Sequence, residues 1–220
     1  MYKIIKSLAD KLFAICFILA LLPFFLIIVI LLKFSGEGEV FYLQERIGFK
    51  NKKFNIIKFA TMLKNSANIG TGLITLRNDP RVTPIGKFLR ISKINELPQI
   101  LNVLLGDMSL VGPRPLVDKT FEPYSEEVKS KIYNVKPGLT GIGSIVFRDE
   151  EKMLSECTID PKEFYNTVIS PYKGALEMWY LENISFKTDF LILFLTAWHI
   201  IFSNSRLTNR IFKDLPTKNF

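Results

Sequence analysis

The side chains with the most chemistry to offer stand between residues 94 and 115, in the stretch INELPQILNVLLGDMSLVGPRP. It sets Asn95, Glu96, Asp107 and Arg114 around one short apolar run. Asn95 is placed to cap a helix, since its side-chain oxygen can accept the free N–H groups of a first turn. Pro98 fits only that first turn, where its missing N–H costs nothing. Leu97, Ile100, Leu101, Leu104 and Leu105 then recur at helical spacing, and Gly106 is a C-terminal stop. Such a helix start favours an anion, through its free N–H groups and partial positive charge. Downstream, Gly112-Pro113-Arg114-Pro115 fixes the backbone on both sides of one arginine, which can then fork onto a phosphate. On residues alone two readings stay open: a phosphate site, or a capped helix followed by a proline-rich turn.

The elements that would position this stretch follow from length, charge and hydropathy. At 220 residues a single domain with appendages is the default. A net charge of +8 calls for an acidic partner: nucleic acid, anionic lipid or a phosphorylated substrate. No zinc-finger spacing or other DNA-reading motif stands out, so nucleic acid is not expected. Cys16 and Cys157 cannot make a disulfide framework, and a reducing compartment fits them. Residues 12–32 are almost continuously apolar, about the length that crosses a bilayer. The following Phe34-Ser35-Gly36-Glu37 offers no good cleavage site for a signal peptide. Pro23 removes a backbone hydrogen bond near the middle of the run, so a kink is expected. Lys11 and Lys33 flank it on both sides and set no orientation.

Further along, residues 40–44 and 54–58 alternate as two strands joined by the basic tip Lys50-Asn51-Lys52-Lys53. Residues 66–83 are rich in Gly, Asn and Asp and predict a loop. A short amphipathic helix with Lys87, Phe88, Leu89 and Arg90 should follow, then a helix over residues 121–136 with Ser125-Glu126-Glu127 at its start. Residues 162–183 are expected to be mostly helical, with Pro171 at a start or kink. Residues 190–202 form a second apolar segment, too short to span comfortably, for the membrane interface or the core. His199, the only histidine, is expected to be structural.

Asn95-Glu96-Leu97-Pro98-Gln99, Gly106-Asp107-Met108-Ser109 and Gly112-Pro113-Arg114-Pro115 resemble, in order and spacing, the signature of the bacterial sugar transferases. These are the small monotopic phosphoglycosyl transferases, whose pattern there is Asp-Glu-Leu-Pro-Gln, Gly-Asp-Met-Ser and Gly-Pro-Arg-Pro. Gln44, Glu45, Arg46, Gly48, Phe54 and residues 58–62 resemble the family's hairpin, with Ala60 where a basic residue is usual. The Arg81-x-Thr83-x-x-Gly86 lead-in, Arg90, the 136–141 turn and the block around Glu177 are similar as well, so the likeness runs from the N-terminus to about Phe202.

The resemblance implies an α+β fold, mostly helical with a small β-hairpin, in a monotopic membrane protein. Residues 1–34 would be a kinked, re-entrant membrane helix, 35–205 the cytosolic catalytic domain with interfacial helices, and 206–220 a tail. It implies an enzyme at the cytoplasmic face of the bacterial inner membrane. Sugar-1-phosphate would pass from a UDP-sugar to a polyprenyl phosphate such as undecaprenyl phosphate, releasing UMP and starting a glycan. Other glycan-assembly enzymes are potential partners. Arg114, Arg90 and Lys58, with Pro113, Arg148 and Glu177, would form the phosphate and nucleotide site. Glu96 and Asp107 would hold Mg²⁺, whose preference is for carboxylate and phosphate oxygens.

One departure falls where the family has its nucleophilic Asp: this chain has Asn95. A neutral amide has no carboxylate to attack with. Glu96 then becomes the nucleophile, or the lipid phosphate attacks directly, or the protein is a catalytically impaired scaffold in a glycan assembly complex. After the 136–141 turn the family commonly has Trp and Gln; this chain has Ile142, Gly143 and Ser144, so the sugar does not carry over.

Overall fold

The apolar run lies inside one long helix, α1 (Tyr2–Lys33), which holds Pro23 within it. The computed structural model describes residues 2–66, 79–202 and 205–218. Ile4, Leu8, Leu12, Leu19, Leu26 and Ile30 face outward from α1, each more than half exposed. The opposite side packs on the rest of the molecule along its whole length. Asp10 hydrogen-bonds Ser109 Oγ at 2.6 Å, Ala14 is fully buried, and Ile28 and Leu32 enter a cluster with Phe59 and Leu89. At the N-terminal end Lys6 Nζ and Tyr2 Oη both meet Asp189 Oδ2, at 2.5 and 2.6 Å.

The hairpin forms as expected and runs longer. Strand β1 (Phe41–Ile47) pairs antiparallel with β2 (Lys53–Phe59), with Tyr42 opposite Lys58 and Arg46 opposite Phe54. Lys50 and Asn51 take positive φ at the tip, where a chain reversal needs it. Of the expected loop, residues 67–78 lie outside the described residues. Helix α2 (Pro84–Ile91) follows, capped by Thr83 Oγ1 accepting from Gly86 N–H at 3.0 Å.

The signature stretch folds differently from the expected single capped helix. A 3₁₀ turn over Ile94–Gln99 comes first, then α3 (Ile100–Leu105). Lys93, at φ 60°, occupies the position ahead of the turn, so Asn95 is already inside it and caps nothing. Gly106 does end α3, at φ 94°. Asn102 ties α3 to the hairpin: its Oδ1 accepts from Ile57 N–H at 3.0 Å and its Nδ2 donates to the Asn55 carbonyl at 2.8 Å.

Strand β3 (Ser109–Val111) pairs in parallel with β4 (Gly138–Thr140). Between them come α4 (Asp118–Phe121) and α5 (Glu126–Lys131), where one helix over 121–136 was expected. Pro123 has no N–H to continue the first, and Ser125 caps the second through Val128 N–H. The chain continues through α6 (Ile142–Val146), α7 (Glu150–Glu156) and α8 (Pro161–Phe164). A π turn over Tyr165–Ile169 joins α8 to α9 (Ser170–Glu182), which has Pro171 in its first turn. Helix α10 (Phe186–Ile201) fits the core on one side, where Ile192 and Leu195 are fully buried, while Phe190 and Ile201 face outward.

Residues 207–216, within the expected tail, pack back on the domain. Helix α11 (Leu207–Ile211) leads to Phe212, whose ring packs 5.0 Å from that of Trp179. Asp214 accepts from Trp179 Nε1 at 2.9 Å. His199 is buried, meets Thr208 Oγ1 at 2.8 Å and also borders the main cavity.

The β3–β4 pair sets the position of the 112–115 turn, because Gly112 N–H donates to the Thr140 carbonyl and Gly138 N–H to that of Pro113. A Cβ on Gly112 would stand 2.5 Å from the Lys136 carbonyl oxygen, so the crossing excludes any side chain there. Gly112→Ala should lower stability by about 1–3 kcal/mol through overpacking, read as a lower unfolding midpoint of the detergent-solubilised protein. An unchanged midpoint would show that the crossing has slack.

Candidate active site

Glu96 sits on the 3₁₀ turn where β2 packs against it, and two cations converge on its carboxylate. Glu96 Oε1 accepts from Lys58 Nζ at 3.4 Å and from Arg114 Nη2 at 3.0 Å. Lys58 lies near the end of β2, and Arg114 follows β3, so three separate elements build the triad. Burial alone would push the Glu96 carboxyl up; the Arg114 and Lys58 charges override it and hold the pKa well below the usual carboxylate range. Arg114 is pushed up, first by Glu96. Lys58 is brought down to about 7, first by burial and also by the nearby Arg46 and Arg114 charges.

The arginine is held from behind. Tyr133 Oη donates to the Arg114 carbonyl at 2.8 Å and accepts from Leu116 N–H at 3.0 Å. Arg46 donates to the Pro115 carbonyl at 3.2 Å and to Gln44 Oε1 at 2.6 Å. Glu177, expected to meet phosphate, is instead buried behind the turn, where its Oε1 faces the Arg114 N–H at 3.4 Å. Burial raises its pKa to about 7. Pro113 is also buried and does not line the cavity.

The triad opens into a cavity of about 1540 Å³. Lys58, Asn95, Glu96, Arg90 and Arg114 line its polar part; Phe13 and Phe17 of α1 and Leu193 and Ile200 of α10 line an apolar part. Arg90 and Arg148 both reach the cavity wall, although each is already engaged. Arg90 pairs with Glu151 at 2.6 Å, and Arg148 donates to the His199 carbonyl near the end of α10. Asn95 is buried, and its Oδ1 has no hydrogen-bond partner among the described residues. An orphaned buried oxygen costs about 1–3 kcal/mol unless something satisfies it.

Asp107 also stands apart from the cavity. It is exposed just past the Gly106 turn and does not line the cavity. The length of α3 stands between it and Glu96. Among the described residues no group of three or more His, Cys, Asp or Glu forms a metal cage. Lys173 and Glu150, absent from the sequence-based set, do line the cavity and pair at 2.5 Å. They lie 23 residues apart, a separation with no periodic signature.

A carboxylate between two cations shares its cavity with apolar residues of a helix long and apolar enough to enter a membrane. The family model for the bacterial sugar transferases matches residues 1–203, and the chain belongs to that family. It is 34% identical over 205 residues to an exopolysaccharide production protein, ExoY, of Sinorhizobium fredii, covering 87% of this chain and 83% of that one. It is 33% identical over 213 residues to an undecaprenyl-phosphate glucose phosphotransferase of Komagataeibacter xylinus, covering 91% of this chain and 36% of the relative. A UDP-N-acetylgalactosamine-undecaprenyl-phosphate N-acetylgalactosaminephosphotransferase of Aeromonas hydrophila is 34% identical over 207 residues, covering 91% of this chain and 44% of the relative. The chain thus spans most of the first relative and less than half of the other two.

The Lys58 pKa near 7 gives the site a pH dependence of definite sign. Below it the triad carries two positive charges and one negative; above it Lys58 is neutral and the net charge falls to zero. Anion affinity should therefore drop as pH rises from about 6 to 8. Sulfate, which does not titrate in that range, is the probe: its stabilisation of the protein should weaken with pH at constant ionic strength. Lys58→Met should flatten the profile, and a profile unchanged by that substitution would remove Lys58 from anion binding.

Proposed function

We propose that this protein transfers a sugar-1-phosphate from a UDP-sugar to undecaprenyl phosphate, releasing UMP and beginning a bacterial glycan. The observation that carries it is the Glu96 carboxylate held by Lys58 and Arg114 in a cavity that continues along the apolar residues of α1. The donor supplies phosphates for the cations, and the acceptor needs an apolar path beside them. The names of the relatives support the same pair of substrates.

In this reading Glu96 attacks the sugar-bearing β-phosphorus. A P–O bond forms to the carboxylate, the P–O bond to the α-phosphate breaks, and UMP leaves with that electron pair. A phosphate oxygen of the lipid then attacks the same phosphorus, and Glu96 departs as a carboxylate. Lys58 and Arg114 hold phosphate oxygens and stabilise the charge that gathers on them. Among the cavity carboxylates Glu96 alone stands between these two cations. Its low pKa keeps it ionised and ready to attack at neutral pH.

The donors at hand suit Mg²⁺, a hard cation often bound by one or two carboxylates plus substrate phosphates and water. Glu96 and the unsatisfied Asn95 Oδ1 line one cavity and would hold it, whereas Asp107 stands outside. Bound there, the ion would neutralise charge on the diphosphate.

The site works at the cytoplasmic face of the inner membrane, with α1 inserted from one side. A helix that passed straight across a bilayer would carry one end away from its domain. Here Lys6 and Asp10 near one end and Ile28 and Leu32 near the other all pack on the same domain. Length and hydropathy alone would also allow a span; the contacts along both halves favour re-entry. Cysteines placed at Lys3 and Gly36 should be labelled from the same side of inverted vesicles. Labelling from opposite sides would replace re-entry with a crossing.

The catalytic assay is UMP release from UDP-glucose, UDP-galactose and their N-acetylamino counterparts, with undecaprenyl phosphate and Mg²⁺. The wild type should turn over at least one donor, and Glu96→Gln should abolish it, because the amide cannot attack phosphorus. Asn95→Asp should keep or raise the rate, since it adds a carboxylate of nearly the same shape. Full activity in Glu96→Gln would leave direct attack by the lipid phosphate. A silent wild type with an active Asn95→Asp variant would mean a non-catalytic partner in glycan assembly.

A further inference from the structure

The cavity has a second polar group that phosphate chemistry does not use. Glu150 opens α7, and Lys173 stands in the first turns of α9. Lys173 Nζ donates to Glu150 Oε2 at 2.5 Å and lies 5.1 Å over the Phe147 ring and 5.4 Å over that of Tyr165. The lysine is 6% exposed, so a carboxylate and two ring faces hold it fully. Glu150 is placed otherwise. Its side chain keeps 27% exposure and lines the cavity, and only Oε2 is engaged among the described residues.

An ionised carboxylate in this position is no seat for phosphate, which it repels. It lies close enough to Arg114 for its charge to act on the guanidinium. A carboxylate oxygen is an acceptor only, and among the uncharged donors that suit it, N–H and O–H groups alike, the hydroxyls of a polyol are the most numerous. One kind of ligand answers both ends of the polar wall: a neutral polyol joined to phosphate, with its phosphates at Lys58 and Arg114 and its hydroxyls at Glu150. The Lys173 pair serves this by taking Oε2 and fixing the direction of Oε1.

We propose that Glu150, held in place by Lys173, accepts hydrogen bonds from hydroxyl groups of the sugar nucleotide and helps select the donor, an inference that rests on the donor reading above. Both the hexose and the ribose carry such groups, and binding measurements separate them. The full-length protein in nanodiscs is titrated by calorimetry with UMP and with the UDP-sugar of highest turnover. Glu150→Gln should raise the Kd for the UDP-sugar about tenfold, as loss of a hydrogen bond to a charged group does. An unchanged Kd for UMP then assigns the contact to the hexose, and an equal rise assigns it to the ribose. Unchanged binding of both ligands overturns the proposal.

Removing the charge leaves Lys173 buried without its partner, which can itself unfold a protein. A second measurement therefore uses the wild type alone, with deoxyfluoro analogues of the same UDP-sugar, altered on hexose or ribose. Fluorine cannot donate, so at least one analogue should bind about tenfold more weakly. If none does, the inference fails. A wild type that binds no UDP-sugar overturns the donor reading itself, a result distinct from normal binding that is indifferent to Glu150.

Discussion

The ion triad of Lys58, Glu96 and Arg114 is the constraint that the rest of the structure serves. Bringing three charges out of water is costly, and such a cluster in a protein interior adds little to stability compared with apolar groups of the same size. Its cations come from a hairpin strand and a proline-flanked turn, its anion from a 3₁₀ turn. Each must therefore be held independently. Asn102 fixes the hairpin to α3, the β3–β4 pair fixes the turn, and Tyr133 grips the turn on both sides of Pro115. None of these supports touches the carboxylate itself. What they fix is the distance between positive charges that would otherwise move apart.

The same logic accounts for Glu177. A buried carboxyl with one oxygen unsatisfied is an expensive group to keep. It stands where the Arg114 N–H and the close-packed Gly143 leave room for an acceptor and no side chain. Its contribution is to the backbone of the turn and not to the ligand. Helix α1 joins this frame through Asp10, which accepts from Ser109 at the start of β3, so the apolar helix and the Arg114 turn share one strand.

The local features of the fold were legible in the sequence. Apolar alternation and a basic tip gave the hairpin, Gly106 marked the end of α3, and Pro171 the start of α9. Where several residues competed for one job, reading failed. Asn95 is a good cap by type, but Lys93 takes the left-handed position ahead of it, and the cap is lost. Asp107 sits among signature residues in the sequence, yet six residues of helix carry it away from the cavity. Glu150 and Lys173 meet only in the folded chain, and a pair so separated leaves no trace in spacing. Resemblance carried Glu96, Lys58 and Arg114 to one site; it could not show that they touch.

Helix α1 lies against its domain from Lys6 to Leu32 and shows an apolar face to the outside. Under the function proposed above, a protein seated in this way would share a two-dimensional solvent with its lipid acceptor, which would reach the cavity that Phe13 and Phe17 line by lateral diffusion within the bilayer. The concentration that governs encounter is then the number of acceptor molecules per area of bilayer, not per volume of cell. Expanding the membrane with inert lipid dilutes that partner as surely as adding water dilutes the soluble one, and the two substrates of a single cavity come under separate physical control.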